Sequence, residues 1–208
     1  MFALTVDQVD SRRGDDLVAA VVAERDRWRE RGALLGPDRT AGDEFQLLFD
    51  DPAATLDAAL HLTREGRWSV GIGVGDVETP LPPITGEARG DAFIAARDAV
   101  EAAKHAPRRL AVVGTDPDGS AGVSALLGLL LEVRARRSPE GWEVADLAAD
   151  GLTQARIAER LRVTPQAISL RARAASVRLE QEAVPALVRA LRDLDEGTRA
   201  ARPIRSPA

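Results

Sequence analysis

The first half of the chain alternates short apolar runs of strand length with longer amphipathic stretches of helix length. The apolar runs are residues 2–6, 45–49, 68–75 and 110–113. The amphipathic stretches are residues 17–31, 52–65 and 88–105. A further apolar segment precedes 41–44, which predicts a hairpin with an acidic tip. The order β-α-β-β-α-β-α-β predicts an α+β fold with a ferredoxin-like βαββαβ sheet that carries its helices on one face.

Three glycines alternate within the run WSVGIGVG at residues 68–75. Gly71, Gly73 and Gly75 would all point to one face of the strand, because side chains alternate with a period of two. Close approach of a helix and close approach of a ligand both explain this spacing.

The second half contains helical patterns at residues 120–137, 142–149, 152–177 and 180–195. Between the halves, the sequence TDPDGS at 115–120 has the composition of a turn or linker. The chain is therefore predicted to form a first domain over 1–115 and an all-α domain over 120–196. A disordered tail is predicted over 197–208.

The segment LTQARIAERLRVTPQAISLRARAASV at 152–177 predicts two short helices joined by a tight turn. One face of the first helix is apolar, at Ile157, Ala158 and Leu161. Thr164 is a good N-cap for the second helix, and Pro165 suits its first position. The segment resembles the helix-turn-helix of many bacterial regulators, whose second helix enters the DNA major groove.

The second helix of this segment supplies the candidate contacts to double-stranded DNA. Its more exposed positions are Gln166, Ser169, Leu170, Arg171 and Arg173. The predicted DNA-binding residues are Thr164, Gln166, Ser169, Arg171 and Arg173. Gln can bond adenine, Arg can bond guanine, and Ser can reach phosphate or base. The alternative is an ordinary helical hairpin with a solvated basic face.

The distribution of charge along the chain also favours DNA binding by the second half. Residues 152–178 contain six arginines and one acid, a net charge of +5, whereas the whole chain of 208 residues carries −5. Residues 1–118 carry −8, which makes the first half a poor nucleic-acid surface. That half suits a sensor, an enzyme or a dimerisation module better. Since DNA reading usually takes two half-sites, a homodimer is expected.

Composition excludes several classes of site and of protein. The chain has no cysteine and two histidines, so disulfides, thiolate metal sites and histidine-based zinc or iron sites are not expected. The longest apolar run, at 125–131, is too short to span a bilayer. No stretch near the start resembles a signal peptide, and a cytoplasmic protein is expected.

Two acids of the first half are predicted to converge. Asp7 ends the first strand and Asp43 lies at the hairpin tip, and these two points are neighbours in a ferredoxin-like sheet. Adjacent carboxylates repel unless a cation lies between them, and oxygen ligands suit Mg²⁺, which usually brings phosphates. A nucleotide is therefore the predicted ligand. The alternative is an acidic turn, since Asp and Gly are common turn residues.

Sequence motifs of the first half add a resemblance. Asp7, the GDEF sequence at 42–45 and the glycine-rich strand are similar to the palm domain of class III nucleotide cyclases and GGDEF-type diguanylate cyclases. The chain is more similar still to the SatD family, through VDQVDSRR, AGDEFQLLF and GDAFIAARDAVEAAK. The resemblance implies a palm fold over about residues 2–113, with Asp7 and Asp43 as metal ligands.

The same resemblance implies a nucleotide site. It places a backbone loop at Val9, Asp10 and Ser11 near the phosphates. Arg12, Gly42 and Arg97 are further candidate contacts, the alternative for the two arginines being solvated or ion-paired surface charges. The sequence departs from cyclases at Ala41, where a diguanylate cyclase has glycine, and at Ile94, where a class III cyclase has asparagine. Arg97 lies one residue short of the cyclase arginine. The sequence therefore predicts a nucleotide-sensing or dimerising palm on a transcription regulator, the alternative being a Mg²⁺-dependent cyclase or nucleotidyl transferase tethered to DNA.

Overall fold

The computed structural model describes residues 1–11 and 14–200, and it is a mixed α+β structure with a five-stranded sheet. The strands are β1 (Phe2–Gln8), β2 (Leu35–Ala41), β3 (Glu44–Phe49), β4 (Trp68–Val74) and β5 (Leu110–Val113). The helices before β5 are α1 (Leu17–Ala23), α2 (Arg25–Glu30), α3 (Pro52–Leu62) and α4 (Asp91–His105). Those after it are α5 (Pro117–Ala135), α6 (Pro139–Ala149), α7 (Gln154–Leu161), α8 (Pro165–Ala174) and α9 (Val177–Ala200).

The sheet has the strand order β2-β3-β1-β4-β5. The first three pairings are antiparallel, whereas β4 and β5 are parallel. Strand β1 lies at the centre, with Asp7 opposite Glu44 of β3 and Ser69 of β4. This register places the end of β1 beside the β2–β3 hairpin.

Helix α4 packs unusually close to one face of the sheet. Gly71 and Gly73 lie opposite Thr5 and Ala3 on that face. A Cβ atom on either glycine would overlap the backbone of α4, and one on Gly75 would lie 2.5 Å from the Ala92 nitrogen. The alternating glycines therefore admit a helix, which accounts for their spacing without a ligand.

The opposite face of the sheet is also covered. Phe2, Leu4 and Val6 alternate with the residues that face α4, and all three are fully buried. Helices α1, α2 and α3 contact the strands but contribute no residue to the core cluster around α4. Helices thus lie on both faces, so the predicted one-faced arrangement is wrong. The α4 layer follows from the connection between the parallel strands β4 and β5, which the one-faced prediction did not place.

The helix predicted over 17–31 is two helices, α1 and α2. The chain bends at Glu24, whose backbone N–H still donates to Val21 O at 3.1 Å. Helix α4 begins at Asp91 rather than at 88, because Gly90 has a φ of 142°, outside the helical region.

The chain divides into two compact units. We call Met1–Gly128, together with residues 187–200, the sheet unit, and Leu129–Ala186 the helical unit. The predicted division at 115–120 differs from this one because α5 and α9 each contribute residues to both units. Helix α9 continues to Ala200, so the first residues of the predicted disordered tail are helical, and 201–208 lie outside the described residues.

Helices α6, α7 and α8 share one core in the helical unit. Val144, Ile157 and Ile168 are buried there, one from each helix. Thr164 caps α8 by accepting the Ala167 N–H at 3.2 Å, and Pro165 is its first residue, which confirms the predicted start. Arg162 ends α7 in the left-handed region, with a φ of 55°.

Among the described residues, no helix combines the length and the apolar character needed to cross a membrane.

Candidate functional sites

The two predicted acids lie close together at one end of the sheet. The Gln8 backbone N–H donates to the Asp43 carbonyl at 3.0 Å, which holds the hairpin against the end of β1. Asp7 is in register with Glu44, the residue after Asp43. The β-hairpin thus brings Asp7 and Asp43 together, although 36 positions separate them in the sequence.

Lys104 of α4 pairs with Asp7. Its Nζ atom lies 3.3 Å from Asp7 Oδ2 and 2.7 Å from Glu101 Oε1. Burial raises the pKa of Asp7 above its ordinary value of 3.8; Lys104 opposes the rise, and repulsion from Asp43 adds to it. The hydrogen bond to Glu101, followed by the attraction of Asp7, raises the pKa of Lys104. The ammonium group therefore stays charged beside the acidic pair.

Sequence reasoning missed Lys104 as a site residue. The available signal was indirect: the glycines of β4 place α4 over the strand beside β1, and the last turn of α4 then lies at the Asp7 end. No motif spacing links Lys104 to Asp7.

A surface cavity of about 310 Å³ opens beside Asp43. It is lined by Gln8, Ser11, Gly14, Asp16, Arg39, Gly42 and Asp43. The Ser11 hydroxyl donates to Asp43. Arg39 donates to both Asp16 carboxylate oxygens at 2.6 Å and to the Gly42 carbonyl at 2.7 Å. The cavity thus has the dimensions of a small-ligand site, and Arg39 and Asp16 in its lining are paired with each other.

The residues predicted to bind a nucleotide are only partly collected at this cavity. Ser11 and Gly42 line it. The Val9 N–H donates to the Arg67 carbonyl at 2.8 Å and is therefore engaged, and Asp10 is exposed with a φ of 54°. Arg12 lies outside the described residues.

Arg97 does not join this group. It is exposed on α4, seven residues before Lys104, which corresponds to roughly 10 Å along the helix axis. Ile94, at the position of the cyclase asparagine, is 63% exposed. Helix α4 therefore presents Lys104, rather than Arg97, to the acidic pair.

The fit to Mg²⁺ depends on what else is bound. Among the residues that the structure describes, no group of three or more His, Cys, Asp or Glu side chains is arranged to hold a metal. Asp7 and Asp43 offer two carboxylates, and Asp7 is paired with Lys104. One or two carboxylates suffice for Mg²⁺ when substrate phosphates complete its coordination. The site therefore fits a magnesium–nucleotide complex better than a resident ion.

Helix α8 carries the second candidate site, on the helical unit. Gln166, Ser169 and Arg173 are exposed, and their spacing of three and four residues places them on one side of the helix. Ile168 points the other way, into the core, and is fully buried. Of the predicted DNA-binding residues, these three form a continuous surface.

Arg171 and Thr164 are placed differently from this surface. Arg171 is half-buried, with its Nη1 atom 3.9 Å from Glu143 Oε2 of α6. The Thr164 hydroxyl caps α8. Arg171 is thus turned toward α6, because α6 packs against α8, whereas Thr164 serves the start of the helix.

A buried ion cluster lies in the helical unit. Arg134 and Arg137 both pair with Glu180, and both guanidinium groups lie over the Trp142 ring, 4.9 and 4.8 Å from its centroid. Arg137 Nε also donates to the Ala175 carbonyl, at the end of α8, at 2.8 Å. The cluster joins the ends of α5 and α8 to the starts of α6 and α9.

The chain matches no protein-family model, and the searches of curated proteins and of solved structures likewise return no match.

Proposed function

We propose that this protein is a DNA-binding transcription regulator whose sheet unit binds a nucleotide or serves for dimerisation. The observation that carries the proposal is the exposed polar side of α8, with Gln166, Ser169 and Arg173 aligned and Ile168 buried behind them. Side chains of these types hydrogen-bond base edges and phosphates in the major groove.

The geometry around α8 supports a helix-turn-helix. Helices α7 and α8 are separated by three residues, Arg162–Thr164, and α6 completes a three-helix core with them. In helix-turn-helix proteins, such a core holds the second helix of the motif so that it fits the major groove. The net charge of +5 over residues 152–178 favours approach to phosphates.

For the sheet unit we propose a ferredoxin-like palm similar to that of the SatD family. Support comes from the order β2-β3-β1-β4, all antiparallel, which corresponds to the four strands of a βαββαβ unit. Strand β5 then extends that unit at the β4 edge.

The proposed nucleotide site is the Asp43 cavity together with Asp7 and Lys104. Lys104 supplies a cation for phosphate oxygens, and Ser11 supplies a hydroxyl donor. Mg²⁺ enters this proposal as part of a magnesium–nucleotide complex. A bound nucleotide would exchange the Lys104–Asp7 pair and the Ser11–Asp43 bond for contacts of its own.

An enzymatic function is the second candidate, because two carboxylates and a lysine converge at one point. It would be a Mg²⁺-dependent cyclase or nucleotidyl transferase. Incubation with each nucleoside triphosphate and Mg²⁺ or Mn²⁺, followed by product analysis, tests it. Turnover that Asp43→Asn abolishes, and that the exposed control Asp50→Asn keeps, would establish the enzyme.

DNA binding is tested by fluorescence anisotropy with the DNA upstream of the protein's own coding sequence. We expect Arg173→Ala to raise the Kd about tenfold and the control Arg29→Ala, an exposed arginine of α2, to leave it unchanged. Equal Kd values for wild type and Arg173→Ala would contradict the proposal.

Calorimetric titration with ATP, GTP and cyclic dinucleotides, with and without Mg²⁺, tests the sheet unit. A nucleotide that binds, and whose affinity Asp43→Asn lowers while Arg173→Ala does not, supports separate sites on the two units. If Arg173→Ala lowers the nucleotide affinity as much as the DNA affinity, the assignment of one function to each unit is wrong. Sedimentation of the free protein tests the proposed dimer.

A further inference from the structure

A large apolar side chain interrupts the polar side of α8. Leu170 is 69% exposed, although it shares its side of the helix with Gln166, Ser169 and Arg173. These four positions have the spacing i, i+3, i+4 and i+7, which aligns them along the helix. The leucine therefore lies at the middle of the surface proposed to face DNA.

We propose that Leu170 contacts the C5 methyl group of a thymine in the major groove and so determines base preference at one position. The inference rests on the proposed DNA-binding function and extends it to a specific base. The thymine methyl is the apolar group that base pairs present in this groove, whereas the other edge groups are hydrogen-bond donors or acceptors. Opposite any other base, Leu170 would lose this methyl contact.

The charges around Leu170 favour duplex DNA as its partner. Arg173 follows on the same side of the helix. Leu170 also borders a cavity of about 470 Å³ that Arg136, Arg171 and Glu140 line. Glu143 pairs with Arg171, so three cations, counting Arg173, and two acids lie around Leu170. This excess of positive charge complements phosphates flanking a base pair.

The test begins with selection of binding sites from randomised duplexes by the full-length protein. Each thymine of the selected site is then replaced singly by deoxyuridine, which removes only the methyl group. We expect the wild-type Kd to rise about fourfold at one thymine in each half-site, the loss expected for one methyl group in an apolar contact. Leu170→Ala is expected to bind the thymine and uracil duplexes equally at that position.

Leu179→Ala is the matched control, since Leu179 of α9 is 55% exposed. This variant should keep the wild-type discrimination between thymine and uracil. Circular dichroism checks that both variants retain their helices, as expected because alanine favours the helix and both sites are exposed.

Two results overturn the inference while leaving DNA binding intact: a wild-type protein indifferent to every uracil, or a Leu170→Ala variant that still discriminates. A change in oligomeric state on Leu170→Ala, measured by sedimentation, would make Leu170 a contact between protein chains and would also overturn it. If no sequence is selected at all, the proposed function itself is wrong, and the thymine contact is rejected with it.

Discussion

The two units place their charged side chains in opposite ways. In the sheet unit, the charges of the candidate site pair with one another, Lys104 with Asp7 and Arg39 with Asp16. In the helical unit, paired charges are buried at the Glu180 cluster, and the polar side of α8 remains exposed. A nucleotide at the proposed site would have to compete with internal partners, whereas DNA at the proposed surface would meet side chains that already face solvent.

This difference has a thermodynamic consequence. A ligand that displaces an internal ion pair must offset the loss of that pair, whereas a partner of exposed side chains displaces only water. The sheet unit is thus suited to a ligand whose binding rearranges the site, and the helical unit to a partner that binds a preformed surface.

The largest expected effect concerns the close contact between α4 and the β4 glycines Gly71 and Gly73, which we call the glycine seam. Gly73→Val should lower the free energy of unfolding of the sheet unit by about 3 kcal/mol or more, because its side chain would overlap the backbone of α4 at Ala92 and Ala96. Urea unfolding followed by circular dichroism measures this loss. Gly86→Val is the control, since a Cβ there meets no atom within 4 Å. Similar losses in both variants would mean that the glycine seam does not determine stability.

The second prediction tests the buried charges of the helical unit. Glu180→Gln should lower the free energy of unfolding by about 2 kcal/mol, because two arginines, Arg137 among them with a side chain only 1% exposed, lose their carboxylate partner. Glu182→Gln, two residues on, removes only an exposed pairing with Arg178 and should have no measurable effect. If the two variants lower the free energy of unfolding equally, the Glu180 pairs contribute no more than an exposed surface ion pair.

The smallest effect tests the paired charges of the sheet unit, through pH. Lys104→Met should raise the pKa of Asp7 further, because it removes the attraction that opposes the effect of burial. A carboxyl whose pKa is higher in the folded state stabilises the protein at low pH, and this contribution is lost as the pH rises through the folded value. Above that pKa the free energy of unfolding of the variant should therefore be lower than that of wild type. Solvent screening limits the difference to less than about 1 kcal/mol, and the difference should become smaller as the pH falls.

Unfolding free energies of wild type and Lys104→Met, measured across the acidic range above 3.8, test this expectation. Because Lys104 also pairs with Glu101, the matched background is Asp7→Asn with Glu101→Gln, in which the effect of Lys104→Met should no longer depend on pH. A difference that stays constant with pH in the presence of Asp7 would show that Lys104 acts through packing.

Local chemistry made some features predictable from sequence. The start of α8 at Pro165 follows from a capping threonine and a proline, and the fit of α4 was one of two explanations for the alternating glycines. Neither feature requires knowledge of distant residues. The break between α1 and α2 has no comparable signal, because neither Glu24 nor Arg25 is a helix-breaking residue.

Features of the site that depend on tertiary neighbours were not predictable. Lys104 contacts Asp7 because β1 lies beside β4 in the sheet. The sequence around either residue does not indicate this strand order. Arg171 was expected to be exposed on the DNA-binding side, yet the position of α6 turns it toward Glu143. Arg137 and Glu180 are 43 residues apart, and only the folded helices bring them together.

The glycine seam also limits how this protein can diverge. There is no room for a side chain at Gly71 or Gly73, so backbone atoms set the distance between α4 and the sheet. The same distance determines how far Lys104 lies from Asp7. Variation in ligand preference would then have to arise outside this contact, for example at the tip of the β2–β3 hairpin. We therefore expect homologous proteins to retain these glycines and to differ mainly in their loops.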